Sequence, residues 1–310
     1  MRRIPARLAI ALTTLSATAC GAGSAVPAAT SNVAVGAAVN GEQPTALFSA
    51  PPSMTPGPSA PAVPAASLGV DQLTATPPPD PLSVLAGGPD IGGCQVFPAD
   101  NPWNQDISSA PVDPNSATYI ARIDSFRQFL HPDFGSNPSY GIPYVVVPGS
   151  QPMVPITFDA YGDESDPGPY PVPLNAPVEA GSDHHVLVLD SGNCTLYEMY
   201  AATQQGVGWT CASGAVFHLN SNALRPDGWT SADAAGLPIL PGLVTYDEVA
   251  SGVISHALRF TVDQTQNGFI HPATHEAGVA DASDPPMGMR LRLKASFDLS
   301  PFHGEALVIL

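Results

Sequence analysis

Basic side chains are scarce in this chain: ten Lys+Arg stand against 27 Asp+Glu over 310 residues, a formal net charge of −17. That shortage argues against a nucleic-acid partner, because phosphate binding needs a basic face. Charged residues of either sign make up only 12%, and heptads of Leu, Glu and Lys are missing, which excludes a coiled coil. The 36 prolines and 28 glycines follow no G-x-y period, so collagen is excluded too. No apolar run reaches the roughly 18–20 residues that a spanning helix needs, which rules out a polytopic helical protein. No period of 20–50 residues suggests a propeller or solenoid. Three catalytic signatures are also absent. Ser213-Gly214 and Ser251-Gly252 lack the leading glycine of a G-x-S-x-G elbow. Neither a P-loop nor a dinucleotide fingerprint is found, so nucleotide chemistry is not expected.

The N-terminus carries an address. Arg2, Arg3 and Arg7 precede an apolar stretch from Leu8 to Ala19, too short to span a bilayer and suited to a signal peptide over residues 1–19. Leu15-Ser16-Ala17-Thr18-Ala19-Cys20 resembles a bacterial lipobox, in which Cys20 would be acylated and become the mature N-terminus. Ordinary cleavage after Ala17-Thr18-Ala19 is the alternative and would secrete the protein without an anchor. Residues 20–92 then read as a disordered tether. Between Gly21 and Gly92 only Glu42, Asp71, Asp80 and Asp90 are charged, and 13 residues are proline. Such a segment buries too little apolar surface to offset its chain entropy.

Residues 93–310 are expected to form a single domain, which carries nearly all of the negative charge. Three cysteines follow Cys20, an odd number that suggests one disulfide and one spare thiol in an exported chain. Cys94–Cys194 is the favoured pair because it pins the start of the domain to a core strand; Cys194–Cys211 across a hairpin is the alternative.

Strands are predicted at Ile142–Val147, Val154–Phe158, Val186–Asp190, Thr195–Tyr200, Ala215–Leu219, Ile254–Val262 and Met289–Lys294. Several alternate apolar and polar residues, the period of a sheet with one wet face. A helix is predicted from Ser116 to Leu130, with Ile120, Ile123, Phe126 and Leu130 on one side and a stop at His131-Pro132. Short turns of helix are expected after Ser231 and over Tyr246–Ala250. The closing run Glu305–Leu310 reads as a last core strand or a truncation point. The fold class is therefore mostly β: an antiparallel β-sandwich or jelly-roll-like domain with one N-terminal helix.

The densest polar constellation lies between Gly214 and Arg259, and its irregular middle is expected to face outward as a working surface. Asp227 or Asp233 with Glu248 could supply the paired carboxylates of glycosidic cleavage. Trp229 offers a ring face for sugar, with Arg225, Asn222 and His256 as further binding residues. An anionic substrate would have to approach a strongly acidic domain, so a uronate lyase is less favoured than a hydrolase. Asp163, Glu164 and Asp166 sit in a turn-rich acidic loop whose oxygens would suit calcium, although no cofactor is required. His271 and His275 stand four apart, which on a helix would place two imidazoles on one face for zinc, with His184 or His185 as a third ligand. Single residues in all these sets also have plain structural readings as ion pairs, caps or core.

From Cys94 onward the chain resembles a group of exported bacterial proteins. The shared stretches are Phe97–Asn104, Asp163–Pro171, His256–Arg259, Pro285–Lys294 and above all Leu219–Pro241, with Leu219-Asn220-Ser221-Asn222 and Arg225-Pro226-Asp227-Gly228-Trp229-Thr230-Ser231-Ala232-Asp233. The resemblance implies export and a chain that continues past Leu310; it brings no activity with it. Three functions are carried forward: a glycoside hydrolase acting on extracellular polysaccharide or cell-wall glycan, a non-catalytic carbohydrate-binding or adhesion module, and a metal-dependent hydrolase. The membrane enters only through the lipid anchor.

Overall fold

The computed structural model describes residues 87–127 and 141–310. The leader, Cys20, nearly all of the tether, and Leu130 to Pro132 lie outside the described residues.

The described chain starts with a hairpin, β1 (Asp90–Ile91) and β2 (Cys94–Gln95). Its two-residue turn needs positive φ at both positions, which Gly92 (62°) and Gly93 (84°) supply without a Cβ penalty. The Asp90 carboxylate accepts from the Gly93 N–H at 3.0 Å and closes the turn. Helix α1 (Ser116–Ser125) follows. It buries Tyr119 and half-buries Ile120, Ile123 and Phe126, the face that its spacing predicts. Arg122 anchors it from the same side, donating to Asp284 at 2.6 Å and to Gln264 at 2.6 Å.

Strands in sheets dominate the rest, with few helices. One sheet has four strands in the order β3 (Tyr144–Val147), β5 (Val186–Asp190), β6 (Thr195–Tyr200), β9 (Ser213–His218). The second has three, in the order β4 (Ile156–Phe158), β8 (Gly208–Cys211), β7 (Thr203–Gln205). Each sheet is mixed rather than purely antiparallel, because β3 runs parallel to β5 and β4 parallel to β8.

The four-stranded sheet is covered on both faces, which explains why β5 reads Val-Leu-Val-Leu instead of alternating. Val186, Val188 and Met199 join Val147, Tyr170, Val172, Trp209 and Cys211 in one apolar cluster on the side of the smaller sheet. Leu187, Leu189, Leu196, Ala215 and Phe217 turn the other way. They meet not a sheet but irregular chain: Trp103, Leu219, Leu237, Ile239 and Leu240. Leu187, Leu189 and Leu196 are completely buried, and truncating any of them to alanine costs roughly 2–5 kcal/mol.

Cys94 and Cys194 form a disulfide with Cα atoms 5.4 Å apart. Cys211 is the thiol left over, buried in the core, and its burial pushes its pKa up to about 12.

Four expected elements take another form. Ile254–Val262 and Met289–Lys294 form no named strand and join neither sheet. Their polar groups are spent on loops: Ala257 N–H donates to the Trp103 carbonyl at 2.7 Å and Arg259 N–H to that of Gly242 at 3.0 Å. The Arg290 guanidinium donates to the Pro102 carbonyl at 3.1 Å, and Arg292 donates to that of Ile107. Of the three basic residues of Met289–Lys294, Arg290 and Arg292 thus meet backbone oxygens, while Lys294 is exposed. The last run, Glu305–Ile309, is a short helix α3 and not a strand. No helix follows Ser231, which lies inside the core. The expected turn at Tyr246 is helix α2 (Tyr246–Ser251), capped by Thr245 and closed by Gly252 at φ 80°.

Candidate functional site

The motif Leu219–Gly242 divides at Trp229. From Asn220 to Trp229 only Arg225 is buried; from Thr230 to Gly242 every residue is buried except half-buried Ala234. The outward face expected of the whole segment therefore belongs only to its first part.

The inner part is irregular chain within a core, so its backbone donors need partners. Side chains supply them. Glu198, wholly buried, accepts from the Ile239 N–H at 2.8 Å and the Leu240 N–H at 2.9 Å. Burial pushes its pKa up to about 7, held back by these two amides and by Arg259 and His185. Ser231 Oγ donates to the Leu237 carbonyl at 2.6 Å, and Asp233 accepts from the Ala235 N–H at 2.8 Å. Asp233 also pairs with Arg259 at 2.8 Å. Burial raises the Asp233 pKa, with the Arg259 charge opposing. His185 sits between two acceptors, Glu179 Oε2 at 2.6 Å and the Ala232 carbonyl at 3.0 Å. Burial would raise the Glu179 pKa, but its bond and proximity to His185 outweigh that and hold it below the ordinary range. Glu198, Glu179 and His185 were not singled out from the sequence as part of this arrangement. The signal for Glu198 was present: in Thr-Leu-Tyr-Glu-Met-Tyr it falls on the same strand face as Leu196, a lone acid on an apolar side.

The three carboxylates proposed for catalysis each face a different partner. Asp233 is sealed inside and bound to Arg259. Glu248 completes the capping box of α2, accepting from Thr245 N–H at 3.0 Å and Thr245 Oγ1 at 2.8 Å. Its other oxygen lies 2.9 Å from Nε2 of buried His256. Burial raises the Glu248 pKa, but His256 and Thr245 together bring it below the ordinary value. The His256 side chain is 1% exposed and its Nδ1 lies 2.9 Å from the Ala257 carbonyl, so it is closed to a substrate. Asp227 alone of the three is exposed. Its carboxylate lies 2.8 Å from His271 Nε2, with the two side chains 62% and 56% exposed.

The outer part is held by three anchors. Arg225 donates to the Thr230 carbonyl at 2.8 Å and the Glu164 carbonyl at 2.9 Å, and pairs with Asp166. Its guanidinium also lies against the Phe217 and Trp229 rings at 5.7 and 5.6 Å. Asn222 reaches the Phe97–Asn104 stretch, donating to Asp100 at 2.8 Å and accepting from Asn101 at 2.9 Å. The segment after His271 runs alongside: Gly228 N–H donates to the Thr274 carbonyl at 2.6 Å, and Thr274 Oγ1 to the Trp229 carbonyl at 2.9 Å.

Neither metal reading finds its expected geometry. His271 and His275 are not on a helix; His271 faces Asp227, while His275 Nδ1 meets the Ala234 carbonyl at 2.7 Å. His185 is turned inward to Glu179, and exposed His184 flanks it at φ 48°. In the acidic loop, Asp166 is taken by Arg225 and by the Val216 N–H at 2.8 Å. Glu164 accepts from the Thr230 N–H at 3.2 Å and lies 3.7 Å from His275. Asp163 stays exposed in the turn Gly162–Glu164. Among the described residues no group of three or more His, Cys, Asp or Glu is placed to hold a metal ion.

A surface edge is what remains: half-buried Trp229, the exposed Asp227–His271 pair, and beside them Leu224 and Ile270, each 47% exposed. It can stack a ring and exchange hydrogen bonds with hydroxyls. No family model, curated protein or solved structure matches this chain.

Proposed function

We propose that this protein is a non-catalytic glycan-binding module, exported and carried on a tether that is lipid-anchored at Cys20. Its ligand is extracellular polysaccharide or cell-wall glycan, held on the edge formed by Trp229, Asp227 and His271. The two open sheets, which share the cluster around Trp209 and Val188, are read as the layers of a β-sandwich. The observation that carries the proposal is the fate of the acids. Asp233 and Glu248 are each committed to protein donors, whereas Asp227 stands exposed beside a partly open indole. Glycoside cleavage requires two carboxylates facing one sugar at roughly 5–10 Å, and commitment of two of the three speaks for binding over hydrolysis.

The test is a glycan array with a reducing-sugar release assay on the full chain. Binding without release is expected, weakened at least tenfold by Trp229→Ala or Asp227→Asn and unchanged by Glu248→Gln. Release of sugar abolished by Asp227→Asn would overturn the non-catalytic reading. Absence of binding to any extracellular glycan would overturn the proposal as a whole.

A further inference from the structure

Beside the exposed edge lies a small cavity of about 30 Å³, room for about two water-sized groups. Phe97, Trp103, Phe217 and Leu237 are among the residues that line it, together with Asn101 and Arg225. Its mouth is at exposed Ala223 and Leu224, three to four residues before Asp227, and Pro272 adjoins it from the His271 side. No Asp, Glu or His lines it.

We propose that this cavity takes the acetyl group of an acetylated sugar, with the ring lying on the Trp229 edge; this rests on the glycan-binding reading above. An apolar wall with two donors and no acidic acceptor fits a group that combines a methyl with a carbonyl oxygen. Asn101 gives one amide hydrogen to Asn222 and Arg225 gives its assigned bonds to Thr230, Asp166 and Glu164. Asn101 and both terminal nitrogens of Arg225 each keep a further N–H. The competing substituents fit less well. A 6-deoxy methyl would leave the donors without an acceptor. A hydroxymethyl brings a donor of its own, and the Asn101 oxygen is already taken by the Trp103 N–H at 3.0 Å. A carboxylate would compete with Asp166 for Arg225 in a chain of net charge −17 and would meet apolar walls.

The acetyl can be carried on nitrogen or on oxygen, and the test separates the two. Calorimetric titration of the full chain would compare the N-acetylglucosamine hexamer with cellohexaose, and O-acetylated xylan oligosaccharides with the same material after mild alkaline deacetylation. All are neutral, so the protein's charge does not bias the comparison. A buried methyl with one hydrogen bond corresponds to roughly a tenfold gain, expected in one of the two acetylated arms. Ala223→Phe, at the exposed mouth, is expected to remove that gain while leaving cellohexaose binding as it was; Ala223→Leu serves if the larger ring lowers Tm. Equal affinity for acetylated and unacetylated partners, or a preference that survives both mouth variants, overturns the acetyl pocket and leaves glycan binding standing. No binding in any arm overturns both.

Discussion

Asn220–Trp229 and Thr230–Gly242 are consecutive, equally irregular and equally rich in turn-forming residues, yet one lies outside and the other inside. The difference is in how each satisfies its backbone. The inner part has acids and hydroxyls directed at its amides and carbonyls, from Glu198 on a neighbouring strand and from its own Ser231 and Asp233. The outer part has one buried anchor, Arg225, and its other polar contacts, from Asn222, Asp227 and Gly228, are made at the surface. A long segment without regular structure can thus be core, provided that side chains replace the missing ladder.

The sharpest way to break that contrast is to remove the inner donors' partners. Asp233→Ala leaves the Arg259 guanidinium buried without its carboxylate, and a loss of about 3–5 kcal/mol is expected in urea unfolding. Glu198→Ala strands two buried amides and should cost about 2–5 kcal/mol. Stability within 1 kcal/mol of wild type for both variants would show that the inner part is not held in this way. Next in size is the disulfide. Replacing Cys94 and Cys194 by serine should cost roughly 2–5 kcal/mol, read as a lower Tm.

The two kinds of buried acid also differ in their response to pH. Glu198, raised to about 7, favours the folded state most below the ordinary carboxylate value, and this contribution is lost as pH rises towards 7. Glu179 and Glu248, held below the ordinary value, contribute stability above it, lost as pH falls through their lowered values. Urea midpoints of wild type relative to Glu198→Gln should therefore fall between pH 4.5 and 7.5. A difference that stays flat over this window would contradict the assignment. The smallest stability effect belongs to the outer part. Asp227→Asn disrupts an exposed pair and should shift stability by less than about 1 kcal/mol, while glycan affinity drops.

Where a stretch of sequence carries both its period and its boundary chemistry, it was legible. Val186–Asp190 and Thr195–Tyr200 occupy their expected bounds, α2 begins at Tyr246 as expected, and Cys94 joins Cys194. Alternation alone was less informative. Met289–Lys294 alternates without forming a strand, and two loop carbonyls take the arginines. The split at Trp229 was hidden for a related reason. Whether Asp233 meets solvent or Arg259 depends on a contact 26 residues away, and no local pattern encodes it. Of the three acids proposed for catalysis, the one that is exposed, Asp227, lies between Pro226 and Gly228, where proline and glycine limit packing.

The disulfide also fixes how a pull on the chain would travel. Tension arriving from upstream of Asp90 crosses only the β1–β2 hairpin before reaching Cys94, then passes through a covalent link to Cys194 at the start of β6. The intervening loop, 100 residues in sequence separation, is bypassed. Helix α1 and the acidic loop lie off the covalent path while the bond is intact, and the load enters the four-stranded sheet at β6, an inner strand. Reduction would remove that shortcut and send the load along the backbone from Gln95, against the pairing of β3 with β5 and of β5 with β6.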